Sequence, residues 1–169
     1  MYLIETERIG LAILSEADVK GAERFWGDSE VMAESGGAAP LKVLPKVIKS
    51  YKECYKAKGL SVYGVVEKET GAVIGAAGFN IIGEMEKIEL IYHFSKASWG
   101  KGYATEAAQA CIELAKGRPD VRTVYASADP SNRRSIKVLE KLGFHYIEHR
   151  WFEDTQQEEP YYELYLERI

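Results

Sequence analysis

The chain has 169 residues, 46% hydrophobic and 28% charged, enough to bury a substantial core and too few for several ordinary domains. Lys and Arg total 22 against 26 Asp and Glu, and the formal charge of −4 argues against a protein that coats nucleic acid or an anionic membrane. No apolar run approaches the ~18 residues that span a bilayer, and Met1 to Arg8 carries acid where a signal peptide carries base. Cys54 and Cys111 stand far apart, with no CxxC and no His at ligand spacing. The expectation is one domain over residues 1–169, cytoplasmic, with reduced core cysteines and no metal site.

Arg8 to Leu14 reads as a strand, and Ser15 followed three residues later by Asp18 marks the start of a helix from about Glu16 to Trp26. The periodic pattern fails around Glu34 to Pro40 and resumes with Val47, Ile48, Tyr51 and Tyr55 until Gly59 stops it. Ser61 to Val66 and Ala72 to Phe79 are β-prone runs joined through Glu69-Thr70-Gly71, a hairpin. Lys87 to Phe94 is a third such run and leads into a glycine-bearing loop. Tyr103 to Lys116 is an Ala-rich helix with Ala107, Cys111, Leu114 and Ala115 on one face, ended by Gly117 and Pro119. Val121 to Ala128 is a strand. Asp129-Pro130-Ser131-Asn132 opens a helix whose Ile136, Leu139 and Leu142 share a face and which Gly143 closes. Phe144 to Phe152 and Tyr161 to Leu166 form a last antiparallel pair.

Gly100-Lys101-Gly102-Tyr103-Ala104-Thr105 follows a strand and begins a helix, so its free backbone N–H groups and the helix dipole make a ready site for phosphate or pyrophosphate. A dinucleotide fingerprint is the rival reading, since Gly100 and Gly102 give GxG and Asp120 follows 20 residues later. Thr105 occupies the third small position, however, and Ser95 to Trp99 intervenes where a Rossmann strand runs directly into the first glycine. Two glycines that only shape a turn are the plainer alternative.

Tyr92-His93-Phe94, Trp99-Gly100-Lys101-Gly102-Tyr103-Ala104-Thr105-Glu106-Ala107 and Asn132-Arg133-Arg134-Ser135 through Leu142-Gly143-Phe144, in that order, resemble the GNAT superfamily of acetyl-CoA-dependent N-acetyltransferases. Within it, the ribosomal-protein N-terminal acetyltransferases look most similar, and Glu5-Thr6-Glu7-Arg8 and Ser15 to Asp18 extend the likeness over nearly the whole chain. The resemblance implies an α/β (α+β) fold: a mixed, mostly antiparallel sheet of six or seven strands, helices on both faces, the fourth and fifth strands of the family pattern splayed. It implies acetyl-CoA as co-substrate and direct acetyl transfer in a ternary complex to a primary amine, either a protein N-terminal α-amine or a small molecule. A non-catalytic acyl-CoA-binding module is the alternative. No nucleic-acid or membrane partner is expected, and the oligomeric state is monomer or homodimer.

By the same resemblance, Trp99, Gly100, Lys101, Gly102, Tyr103, Ala104 and Thr105 carry the CoA pyrophosphate on backbone amides, with Trp99 standing where the wider superfamily has Arg or Gln. Tyr92 and Phe94 supply peptide groups to the pantetheine arm, and an amide near Tyr92 faces the thioester oxygen. Asn132 binds the pantetheine arm or caps its helix. The usual Tyr acid slot aligns with Leu139, leaving Ser135 as proton donor or thiolate stabiliser, or merely as a partner of the helix backbone. Glu89 is the candidate base, against a solvated strand face, and His93 is the second candidate. Lys96, Lys101, Arg133, Arg134, Lys137 and Lys141 offer charge to phosphates or are exposed helix charges. Gly27 to Pro45 and Asp154 to Pro160 border the acceptor cleft, where Asp154, Glu158 and Glu159 suit a cationic amine or are solvated loop charges.

Overall fold

The computed structural model describes residues 1–166. Among them eight strands form one sheet: β1 (Ile4–Glu5), β2 (Ile9–Ile13), β3 (Val62–Glu67), β4 (Val73–Asn80), β5 (Lys87–Phe94), β6 (Thr123–Ser127), β7 (His145–Phe152) and β8 (Gln157–Tyr165). Their order is β1-β2-β3-β4-β5-β6-β8-β7, and every neighbouring pair is antiparallel except β5 with β6. The helices are α1 (Val19–Ala22), α2 (Leu44–Lys58), α3 (Tyr103–Lys116) and α4 (Arg133–Lys141).

Side chains alternate across the strands, and the two faces of the sheet bury separate clusters. Tyr63 and Val65 pack with Ala107, Ala108, Cys111 and Ala115 of α3 and with Leu139 of α4, whereas Val62 joins Phe25, Trp26, Leu44 and Ile48. The mixed sheet between helices is therefore as expected, with three differences. The sheet has eight strands rather than six or seven because β1 pairs only Ile4 and Glu5 with β2, too short a run to show a period. β8 begins at Gln157 instead of Tyr161, since Pro160 sits just beyond the β6 ladder, which starts at Tyr161, where a strand tolerates a residue without an N–H. The helix expected from Glu16 to Trp26 is a 3-10 turn, Glu16–Asp18, and the single α turn of α1. Its later bonds mix the i→i+3 kind, Arg24 N–H to Gly21 O at 3.1 Å and Phe25 N–H to Ala22 O at 3.2 Å, with Trp26 N–H to Ala22 O at 2.9 Å. That tightening carries consecutive Phe25 and Trp26 both into the core, edge to face with centroids 5.1 Å apart.

The feature that makes a site is the parting of β5 from β6. Their parallel pairing runs only through Lys87–Thr123, Ile88–Val124 and Glu89–Tyr125, while β4 stays paired with β5 as far as Phe94. Beyond Glu89, one edge of β5 is open.

Candidate active site

Ser95 N–H donates to Ile74 O at 3.0 Å, which fixes the phase of the β4–β5 ladder. Antiparallel pairing alternates, so residues 91, 93 and 95 turn their peptide groups to β4 while Tyr92 and Phe94, beyond the last bridge to β6, turn theirs to the open edge. The two residues assigned to the pantetheine arm are thus the ones whose amides lack a strand partner. One correction applies to Phe94: its carbonyl accepts from the Trp99 indole N–H at 2.8 Å, so its N–H is the group left over. Trp99, standing where Arg or Gln is usual, therefore braces the strand end rather than reaching for phosphate.

The open edge runs into the loop before α3. Gly100 and Gly102 lie at φ 75 and 81, the left-handed region that glycine enters without cost, and Gly102 directly precedes the helix. The N–H groups of Tyr103, Ala104 and Thr105 are first-turn donors with no intrahelical acceptor. The N-terminal residues hold this turn in place. Glu106 accepts from the Thr6 hydroxyl, from Arg8 N–H at 3.0 Å and from Arg8 Nε at 2.7 Å, while Arg8 Nη1 donates to Lys101 O at 2.8 Å. Burial works against charge on Glu106, and the bonds from Thr6 and Arg8 outweigh it, keeping the carboxyl below its ordinary range. The likeness at residues 5–8 thus has a structural meaning that sequence alone did not supply.

A cleft of about 1060 Å3 joins these parts, large enough for a cofactor-sized ligand and an acceptor together. Its lining includes Glu89, Tyr92, Phe94, Trp99, Gly100, Gly102, Tyr103, Ala104, Thr105, Asn132 and Ser135. Of the loop residues 99–105 assigned to the pyrophosphate, Lys101 alone is outside the lining, and what it gives the loop is the carbonyl held by Arg8. Arg133, Arg134, Lys137 and Lys141 border the cleft, whereas Lys96 turns to Asp28 and Glu30, 3.8 and 3.4 Å away. Met32, Glu34, Leu44, Asp154 and Glu159 line the cleft from the two segments expected to border the acceptor; Glu158 does not.

Asn132 caps α4, its side-chain oxygen accepting from Ser135 N–H at 3.1 Å, and the residue also lines the cleft. Asn132→Ala is expected to cost about 1 kcal/mol of stability through the cap, readable by denaturant unfolding, and to weaken acetyl-CoA binding in addition. Leu139 in the usual acid slot is fully buried in the core and does not reach the cleft. The residue that sequence reasoning missed is the side chain of Tyr92. Its hydroxyl lies 2.8 Å from Ser135 Oγ and 3.3 Å from Ser135 O, and burial pushes the phenol up to about 12, so it stays neutral. Periodicity reads Tyr92 as a core residue, and its pairing across 43 positions leaves no local trace.

Glu89 is not on a solvated face. Burial raises its carboxyl above the ordinary value, with further push from Asp154 and Glu159, against a weak bond from Asn80 Nδ2 at 3.3 Å. Tyr51 hydroxyl reaches Asn80 Oδ1 at 3.5 Å, tying that amide to α2. Cys111 is buried in the core with its thiol pushed up by desolvation, Cys54 donates to Leu60 O at 3.5 Å, and neither lines the cleft. Among the described residues, no helix is long and apolar enough to cross a membrane.

An open strand edge ending at a glycine-led helix N-terminus, within one cleft, suits a ligand with an extended polar arm and a phosphate group. Residues 8–145 match the acetyltransferase (GNAT) domain family, and the chain belongs to that family. It is an N-acetyltransferase, acetyl-CoA being the family's acetyl donor. It is 29% identical over 148 residues, 85% of this chain and 83% of the relative, to an uncharacterized N-acetyltransferase, p20, of Bacillus licheniformis. Its fold is similar to a GNAT-family acetyltransferase of Bacillus anthracis, with TM-score 0.86, 20% identity and coverage of 98% and 99% of the two chains. It is also similar in fold to RimL, the ribosomal L7/L12 α-N-protein acetyltransferase, solved with coenzyme A, with TM-score 0.83, 12% identity and 98% of each chain covered.

Proposed function

We propose that the chain transfers acetyl from acetyl-CoA to a primary amine by direct attack in the cleft between β5 and β6. The observation that carries this reading is the free peptide groups of Tyr92 and the free N–H of Phe94 in one cleft with the amides of Tyr103, Ala104 and Thr105. The strand edge suits an extended pantetheine arm, the helix N-terminus suits pyrophosphate, and Arg133, Arg134, Lys137 and Lys141 supply cations at the rim. The Tyr92 amide faces the place where negative charge develops on the thioester oxygen. Glu89, half-desolvated and raised, takes the amine proton directly or through water. No cysteine is placed for a covalent intermediate.

Ser135 serves the leaving thiolate, and Tyr92 holds it there. With the phenol O–H donated to Ser135, the serine proton is free to face sulfur. Ser135→Ala and Tyr92→Phe are each expected to lower kcat about tenfold, the loss of one hydrogen bond made in the transition state. The KM for acetyl-CoA should change little. The double variant should be scarcely slower than either single one, because the pair acts as a unit. Unchanged kcat in Ser135→Ala would mean that the CoA thiol, with an ordinary thiol pKa near ~8.5, leaves without a dedicated donor.

The acceptor was expected to be a protein N-terminal α-amine or a small-molecule amine, and both stay within this reading. The test is release of free CoA thiol when acetyl-CoA is offered with peptide α-amines, amino-acid derivatives, polyamines and aminoglycosides. Consumption only by water, with every amine ignored, would sink it.

A further inference from the structure

His93 was the second candidate base, and its surroundings exclude that role. The Trp26 indole N–H donates to His93 Nδ1 at 3.2 Å. Indole has no acceptor to offer in return, so Nδ1 must present its lone pair and the neutral ring carries its proton on Nε2. No protein group among the described residues bonds Nε2, and no buried side-chain nitrogen there is left unpartnered, so this edge opens on the cleft that His93 lines. A base must turn a lone pair toward the proton it takes. Here the lone pair is capped by Trp26 and the open edge is a donor.

The walls around that edge are apolar. Trp26 stacks at a tilt on Tyr51 with centroids 5.7 Å apart, and Ile91 and Met32 also line this side. Burial lowers the imidazole to about 4, so the ring stays neutral over the working range of pH. A fixed N–H in such a place strongly favours a ligand that satisfies it and penalises one that does not.

Resting on the transferase reading, we propose that His93 is a specificity-determining donor: its Nε2–H takes an uncharged oxygen that lies two carbons from the reacting amine. His93 follows Tyr92 directly, whose amide faces the thioester, so an oxygen bound at His93 belongs to the part of the acceptor close to its nitrogen. An amide carbonyl or a hydroxyl fits. A bare alkylamine or polyamine leaves the donor unpaired, and a free carboxylate in that position is repelled by Glu89 and Glu159 on the same cleft.

The experiment compares leucinamide, leucinol, leucine and isoamylamine as acceptors for the parent, His93→Phe and His93→Gln. The fold of each variant is checked by the rise in Tm that acetyl-CoA produces. The parent should prefer leucinamide or leucinol over isoamylamine by about tenfold in kcat/KM counted per unprotonated amine, the worth of one such bond. His93→Phe should erase the preference, and His93→Gln, which keeps an N–H, should retain part of it. Which of the two oxygenated amines leads distinguishes carbonyl from hydroxyl. Equal use of isoamylamine by the parent, or a preference that survives in His93→Phe, overturns the proposal. Nitrogen NMR of the imidazole, read without turnover and so distinct from any failure of acetyl transfer, should show the Nε2–H tautomer unchanged from pH 5.5 to 8. A ring that titrates near its ordinary ~6.5 overturns the fixed donor.

Discussion

Glu89→Gln is expected to bind acetyl-CoA as the parent does and to turn over about 10²-fold more slowly at a pH below the amine pKa. The substitution keeps the size of the side chain and its bond to Asn80, and removes only the ability to accept a proton. The need is set by the acceptor, since an α-amine titrates near ~8 and lysine near ~10.4, so at neutral pH the attacking nitrogen arrives protonated. The sign of the pH dependence follows from the raised carboxyl. Glu89 acts as a base only when ionised, so kcat/KM should fall as pH drops through its pKa, and that acid limb should lie above the usual carboxylate range. In Glu89→Gln the limb should vanish and the remaining rate should climb with pH as free amine accumulates. Stopped assays of thiol release from pH 5 to 9 decide it. A parent-like rate across that range would pass the role to Glu159, the other carboxylate that is buried on this cleft.

The contrast between Glu89 and His93 shows what a sequence carries about a site and what it omits. Both residues share a face of one strand, and their spacing was legible; their roles were not. What separates them is a pair of long-range contacts: Asn80, itself held by Tyr51, beside the carboxylate, and Trp26 on the imidazole across 67 positions. The glycine loop was legible because its chemistry is local, a backbone requirement at Gly100 and Gly102 followed by a helix start. Helix α3 was legible for the same reason, since it buries one face with a clear period, and strands β3 to β5 because they are short β-prone runs. The single turn of α1 was not, because Phe25 and Trp26 are placed by burial against α2 rather than by helix spacing. Nor was the Tyr92–Ser135 pair, in which one partner reads as core and the other as an exposed helix residue until the splay of β5 and β6 brings them to the same opening.

Gly102→Val is expected to weaken acetyl-CoA binding on the order of 10²-fold, the loss of two or so charge-assisted bonds from backbone to phosphate. A Cβ at this position meets only Arg8 Nη2, at 3.5 Å, an ordinary contact, so the protein has room for the side chain and the fold should survive. The cost arises elsewhere. At φ 81 a β-branched residue is strained by roughly 1–3 kcal/mol, and its methyls stand in front of the amides that a pyrophosphate must approach. If the loop instead relaxes to an ordinary φ, the N–H groups of Tyr103, Ala104 and Thr105 turn away from their common focus, and binding is lost by that route. Gly71→Val separates the two effects, because Gly71 is also left-handed, at φ 74, with open space around it in the β3–β4 hairpin and no part in the cleft. Both variants should lose similar stability in denaturant, and only Gly102→Val should lose the rise in Tm given by acetyl-CoA and by CoA. Equal affinity in the parent and a folded Gly102→Val would remove the α3 N-terminus from the site, leaving the strand edge at Tyr92 and Phe94 without the anion anchor that orients an extended arm along it.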